Sequence, residues 1–114
     1  MKPLSREEFE KLKLLPIYKS QVVSGSMEPV IRTGEEILID VGNVDLKPFD
    51  IIVFYFDEKL ICHFLWRKNR IAHPILYQTR NMQGSADLPI TEEFILGKVI
   101  SHRISLWRRL KLLF

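Results

Sequence analysis

The sequence has few cysteines and no long apolar run, and both absences narrow the class of protein. Its 114 residues include one cysteine, Cys62, and no apolar run of about 18 residues. A single cysteine excludes an intramolecular disulfide framework and a zinc–cysteine cluster. The missing apolar run excludes a membrane-spanning helix. Hydrophobic residues make up 46% and charged residues 27% of the chain, which excludes disorder and predicts one soluble domain over residues 1–114.

The net charge is small, but the charged residues are unevenly distributed along the chain. The net charge is +3, and the C-terminal segment from residue 98 to residue 114 contains no Asp or Glu. Its five cations are Lys98, Arg103, Arg108, Arg109 and Lys111. A basic end of this kind favours an anionic neighbour, either lipid or nucleic acid. Because no apolar signal-peptide core follows the N-terminus, we expect a cytoplasmic protein.

Hydrophobic patterning predicts a mainly β fold. A capping-box pattern at Ser5 and Glu8 predicts a short helix over about residues 5–15, which Pro16 ends. Short apolar segments separated by turns predict an antiparallel sheet over about residues 20–104, rolled into a small, partly open β-barrel. The predicted strands cover residues 21–23, 36–41, 50–56, 60–68, 70–79 and 94–104. The third is apolar on both faces and should be central, whereas Pro74 should place the fifth at an edge or bulge.

The C-terminal residues 104–114 form a basic amphipathic segment. Ile104, Trp107 and Leu110 recur at helical spacing, with cations between them. Two interpretations are open for this tail. It lies on a membrane surface as a peripheral contact, or its apolar face covers an open end of the barrel.

The segment Ser24-Gly25-Ser26-Met27-Glu28-Pro29 is the strongest candidate for chemistry. A turn that contains Gly and Pro can hold a serine side chain outward. To attack a carbonyl, a serine hydroxyl also needs a neighbouring base and hydrogen-bond donors for the oxyanion. The simpler interpretation is a solvated turn with two serines. The histidines available as a base are His63, His73 and His102. Considered without further context, Cys62 is a small core residue and Asp87 is a turn residue.

The serine segment resembles the nucleophile box of type I signal peptidases, and further blocks of that family follow in the same order. They lie at residues 31–39, 46–54, 62–65, 79–81, 87–89 and 97–100, so the resemblance covers about residues 20–102. Most bacterial members use a lysine as the base, whereas the archaeal and endoplasmic-reticulum type uses a histidine. Since His63 stands at the base position, the chain is similar to the second type. It departs from the family at Asn81-Met82, where Gly-Asp is usual.

The resemblance implies a serine endopeptidase that cleaves an extended peptide or a leader-type precursor after small residues. Ser26 is then the nucleophile, His63 the general base and Asp87 the acid that orients it. Ser24 and Met27 are the residues implied for the oxyanion and for substrate binding. No metal or cofactor is implied. Family members are normally held at a membrane, so the resemblance also allows a partner subunit that anchors this chain to a membrane.

Three alternatives compete with this interpretation. The Asn81-Met82 departure favours a peptide-binding subunit with a decayed active site. A self-cleaving repressor of the LexA kind would need a lysine base, where this chain has His63, and an Ala-Gly cleavage site upstream of Ser26, which the sequence lacks. A nucleic-acid-binding barrel would interleave aromatic and basic residues, whereas the aromatics here lie within apolar runs, so we expect no nucleic-acid partner.

Overall fold

A computed structural model describes residues 3–113 and contains a six-stranded sheet with a short helix at each end. The helices are α1 (Arg6–Leu12) and α2 (Leu106–Leu113), and a 3₁₀ turn covers Glu92–Phe94. The strands are β1 (Ile17–Gln21), β2 (Glu36–Val41), β3 (Ile51–Phe56), β4 (Lys59–Asn69), β5 (Leu76–Arg80) and β6 (Ile95–Val99). The expected β content and both terminal helices are therefore confirmed.

The strands form one antiparallel sheet in the order β1-β2-β6-β3-β4-β5. β1 and β5 are its edges, so the sheet is not closed. The apolar strand β3 lies inside the sheet, and its residues 51–54 are buried, as the sequence predicts. β5 is an edge strand that begins only after Pro74, since proline has no N–H to donate to a ladder.

Helix α1 begins with the predicted capping box. The Ser5 hydroxyl accepts a hydrogen bond from the Glu8 backbone N–H at 3.1 Å, and the Glu8 carboxylate accepts one from the Ser5 N–H at 3.2 Å. The helix ends at Leu12, so the prediction of residues 5–15 was too long. The N–H groups of Leu14 and Leu15 bond to carbonyls three residues back, which converts the last stretch before Pro16 into turns.

Strand ends also differ from the sequence prediction. β1 covers residues 17–21 instead of 21–23, because its partner β2 pairs from Asp40 opposite Ile17 to Glu36 opposite Gln21. β6 ends at Val99 instead of residue 104. Beyond Val99, the Ile100 N–H bonds to the Leu38 carbonyl and the chain leaves the sheet. The regular β structure thus covers residues 17–99, whereas the prediction was about 20–104.

The hairpin between β3 and β4 is tighter than the predicted loop of residues 57–59. Lys59 pairs with Phe56, which leaves Asp57 and Glu58 as a two-residue turn. Their φ angles are 52° and 59°, and positive φ at both central residues is the feature of a type I′ turn. This turn fixes the register that carries His63 opposite Ile52.

Two hydrophobic clusters cover the two faces of the sheet. Ile51 and Val53 belong to the larger cluster, and their neighbours Ile52 and Phe54 belong to the smaller one, as alternation along a strand requires. Both helices pack on the larger cluster, α1 through Phe9 and α2 through Leu112. In the part of the chain that the structure describes, neither helix has the length and apolar content needed to cross a membrane. The cytoplasmic location stays a prediction.

Candidate active site

The serine segment is a compact loop held by two buried side chains. Met27 and Ile31, 1% and 0% exposed, belong to the larger core cluster. The Glu28 N–H bonds to the Gly25 carbonyl at 3.1 Å and the Ile31 N–H to the Met27 carbonyl at 3.0 Å. Because the loop is anchored on this side, its serines lie on the other, where the Ser24 and Ser26 hydroxyls are 3.2 Å apart.

Strand β4 carries His63, and a later loop brings a carboxylate to it. His63 Nδ1 lies 2.6 Å from Asp87 Oδ2, although 24 residues separate them in the sequence. The His63 side chain is mostly buried, and that of Asp87 is about one-third exposed. A carboxylate only accepts, so His63 Nδ1 carries a proton, and in the neutral imidazole Nε2 then presents its lone pair. This is the tautomer that a general base needs.

Strand β5 fixes the position of Asp87. The Thr79 hydroxyl donates to Asp87 Oδ2 at 2.6 Å, the same oxygen that His63 contacts. The Asp87 N–H donates to the Thr79 carbonyl at 2.9 Å, and the Gln78 side-chain amide donates to the Asp87 carbonyl at 3.2 Å. Asp87 is therefore held by its backbone and by its carboxylate. Thr79 lies in one of the motif blocks, but its role is not readable in the sequence, because no local pattern contains a contact across eight residues.

One cavity joins the serines to the histidine. It has a volume of about 440 Å³ and is lined by Ser24, Ser26 and His63, together with segments 20–23 and 59–62. No hydrogen bond within residues 3–113 joins Ser26 to His63. Instead, the Ser26 hydroxyl bonds to Ser24, and His63 Nε2 has no partner in that range. Hydrogen bonds between catalytic groups are often long before substrate binds and tighten in the complex.

The loop that contains the Asn81-Met82 departure is tied to the serine loop. The Met82 N–H donates to the Ser26 carbonyl at 2.9 Å. The Asn81 side-chain oxygen accepts from the N–H groups of Gln83 and Ser85 at 3.0 and 2.9 Å, which closes the turn that leads to Asp87. Asn81 thus organises this loop, and the departure from the family pattern leaves Asp87 in contact with His63.

Donors for an oxyanion lie beside the Ser26 hydroxyl. Among residues 3–113, the Ser26 backbone N–H has no acceptor, and the Ser24 hydroxyl has only Ser26 as its partner. Both groups are therefore available to a substrate oxygen. The Met27 side chain is not available, because it lies in the core, and the role in substrate binding predicted for Met27 does not fit its side chain.

Other nucleophiles and bases are less suited to the reaction. Burial raises the pKa of the Cys62 thiol to about 12, so it stays protonated and weakly nucleophilic at neutral pH. His73 is exposed in the turn before β5. His102 bonds to Glu35 at 3.0 Å and to Ser101 at 2.8 Å, and it does not line the cavity of the two serines. In residues 3–113, no three His, Cys, Asp or Glu side chains group as metal ligands.

Two unpaired strand edges border the same cavity. β1 pairs only with β2, and its end at Ser20 and Gln21 lines the cavity. β4 pairs with β5 only from Phe64 onward, so the edge of residues 59–63 that faces away from β3 has no partner strand within the described chain. β1 and β4 are separated by three strands in the sheet, and their meeting at one cavity shows how strongly the sheet curls.

Comparison of the sequence with protein-family models finds no match, and comparison with curated proteins finds none. The ordered motifs of the chain and the geometry of this cavity are therefore the observations that bear on its function.

Proposed function

We propose that the chain is a serine endopeptidase with Ser26 as nucleophile and His63 as general base. The observation that carries the proposal is the 2.6 Å contact between His63 and Asp87, at a cavity that His63 shares with Ser26. A purely structural histidine needs neither a carboxylate on one ring nitrogen nor an unpartnered second nitrogen at a cavity wall. A base that a carboxylate orients, with its second nitrogen open to a cavity that also contains a serine, is what nucleophilic catalysis requires of the base.

The reaction has two stages. Ser26 Oγ attacks the scissile carbonyl while its proton passes to His63 Nε2, and the carbonyl oxygen gains negative charge near the Ser26 N–H and the Ser24 hydroxyl. The C–N bond then breaks, and the leaving amine takes the proton from His63. In the second stage, His63 takes a proton from water, the hydroxide attacks the ester, and Ser26 Oγ leaves with that proton. Asp87 stabilises the imidazolium that forms in each stage.

An extended peptide is the substrate that the cavity fits best. Its backbone can pair with the free edge of β4 or β1, and alternate side chains then enter the cavity. The cavity wall includes Ile37 and Val53, so the cavity favours an apolar side chain. The same proposal includes cleavage after small residues and a signal peptidase-like core of the Ser–His type. The order of the motif blocks supports both.

A test of the proposal uses the full chain with a fluorogenic peptide library and, separately, with a fluorophosphonate that labels activated serines. We expect the wild type to cleave and to be labelled. Ser26→Ala and His63→Ala should each lower kcat/KM by more than about 10³-fold, because nucleophile and base act as one unit. Both variants should also lose the label.

Matched controls are available in the same chain. Ser105→Ala removes an exposed serine outside the cavity, and His73→Ala removes an exposed histidine outside it; both should retain activity. Full activity or full labelling of Ser26→Ala would overturn the assignment. Peptide binding without cleavage by the folded wild type would favour the decayed binding subunit instead.

A further inference from the structure

Helix α2 is attached to the domain by one side only. Leu112 packs on the larger core cluster. Arg109 is half-buried, donates from Nε to the Ile104 carbonyl at 2.9 Å, and has its guanidinium 5.5 Å from the centre of the Phe49 ring. These contacts lie three residues apart, on one face of the helix, and they fix its rotation about its own axis.

The apolar residues of α2 lie on a different side and are exposed. Leu106, Leu110 and Leu113 follow each other at spacings of four and three, with side chains 74%, 44% and 55% exposed, and Trp107 beside them is 67% exposed. Lys111 lies beside the stripe, with its Nζ 5.4 Å from the centre of the Trp107 ring, and Arg108 is an exposed cation on the same helix. If the tail only covered an open end of the barrel, Leu112 would be explained, but the stripe would have no partner within residues 3–113. Phe114 lies outside the described residues.

A basic cavity lies next to the helix. It has a volume of about 310 Å³, and its wall includes Lys98, Arg103 and Arg109. Asp50, 3.5 Å from Lys98, is the carboxylate in that wall, and His102 contributes a ring that Glu35 contacts from outside the cavity. Three cations against one carboxylate leave this cavity net positive. Its chemistry suits a phosphate group.

We propose that α2 and the basic cavity bind the surface of an anionic lipid membrane. The stripe of three leucines and Trp107 enters the boundary between headgroups and acyl chains, and the cations contact lipid phosphates. Charge selects this partner over a second copy of the chain, because two such surfaces repel each other. The stripe is mostly aliphatic, which suits acyl chains better than stacked bases. This inference is independent of the proposed peptidase activity.

The test is vesicle sedimentation of the full chain. Vesicles of phosphatidylcholine with phosphatidylglycerol should pellet the protein, and pure phosphatidylcholine should pellet much less. Raising the salt to about 0.5 M should release the protein, since salt screens surface charge. Arg103→Gln and Arg108→Gln should each weaken binding about fivefold. Leu106→Ser should weaken vesicle binding by a similar factor, because the variant lacks an apolar side chain that enters the acyl chains.

Controls come from exposed residues elsewhere on the surface. Arg70→Gln removes a cation and Ile71→Ser removes an apolar side chain that is 89% exposed, and both should bind like the wild type. Circular dichroism checks that each variant is folded. Equal pelleting with neutral and anionic vesicles, or unchanged binding of Leu106→Ser, would overturn the proposal. So would release by millimolar glycerol phosphate alone, since that outcome assigns the cavity to a soluble phosphate.

Discussion

Single residues decide how firmly the base of the proposed reaction is oriented. Ser26, His63 and Asp87 were all identified from the sequence, because each lies in a motif block that resembles a known family. The contact between His63 and Asp87 was not visible in any periodicity, since it depends on the pairing of β4 with β5. The position of Thr79 opposite Leu65 in that ladder brings its hydroxyl to Asp87, and only the fold reveals it.

Thr79 is a positioning residue whose removal should slow catalysis without weakening substrate binding. A hydrogen bond to a charged group contributes about 1.5–3 kcal/mol, so Thr79→Val should lower kcat about 10- to 100-fold and leave KM unchanged. Thr79→Ser keeps the hydroxyl and should retain most of the activity. Steady-state kinetics on a cleaved peptide measure both constants.

A double-mutant cycle separates this role from a structural one. Because Thr79 acts through Asp87, Thr79→Val should cause little further loss in a chain that already carries Asp87→Asn. Fully additive losses in the double variant, or a fall in stability with unchanged kcat, would show that Thr79 does not orient the carboxylate.

Helices and strands with a local sequence signal were predicted well, whereas the residues at which strands end were not. The capping box of α1 is a contact over three residues, and the apolar run of β3 is a continuous pattern, so both are readable in the sequence. The ends of β1 and β6 depend on where their partner strands stop, which no single segment encodes. The short apolar segments and the turns between them were sufficient for the fold class but not for the strand order.

Strand β6 contains a glycine that the sheet requires. A Cβ at Gly97 would overlap the Asp40 carbonyl of the neighbouring strand β2. Gly97→Ala should therefore destabilise the domain by about 1–3 kcal/mol, the usual cost of forcing an extra methyl into packed structure. Urea unfolding followed by circular dichroism measures this loss.

Gly42→Ala provides the matched comparison. Gly42 has open space for a Cβ but a φ of +80°, so its substitution costs only the left-handed backbone, about 1 kcal/mol. A Gly97→Ala variant as stable as the wild type, or less affected than Gly42→Ala, would show that the strand shifts to admit the methyl group.

For the whole molecule, the larger core cluster connects both helices to one face of the sheet. Phe9 of α1 is fully buried and stacks on Tyr55 of β3, with ring centres 4.7 Å apart. The Tyr55 hydroxyl donates to the Leu4 carbonyl at 2.7 Å, and the Leu4 N–H donates to the Glu58 carbonyl at 2.7 Å. The N-terminal segment is thus attached to β3 and to its hairpin by packing and by hydrogen bonds.

Phe9→Ala should remove much of the stability of the domain. Truncation of a buried phenylalanine costs about 3–5 kcal/mol, and a small domain has only about 5–15 kcal/mol in total. The midpoint of thermal unfolding should fall by more than about 10 °C, because 1 kcal/mol shifts it by about 4–8 °C at this size. Leu14→Ala, at a side chain 83% exposed, should leave the midpoint unchanged.

Since Phe9 does not line the cavity of the serines, peptidase kcat should be retained at temperatures where the variant is folded. Loss of the helix signal with an unchanged unfolding midpoint would show instead that α1 detaches alone and that the sheet is stable without it.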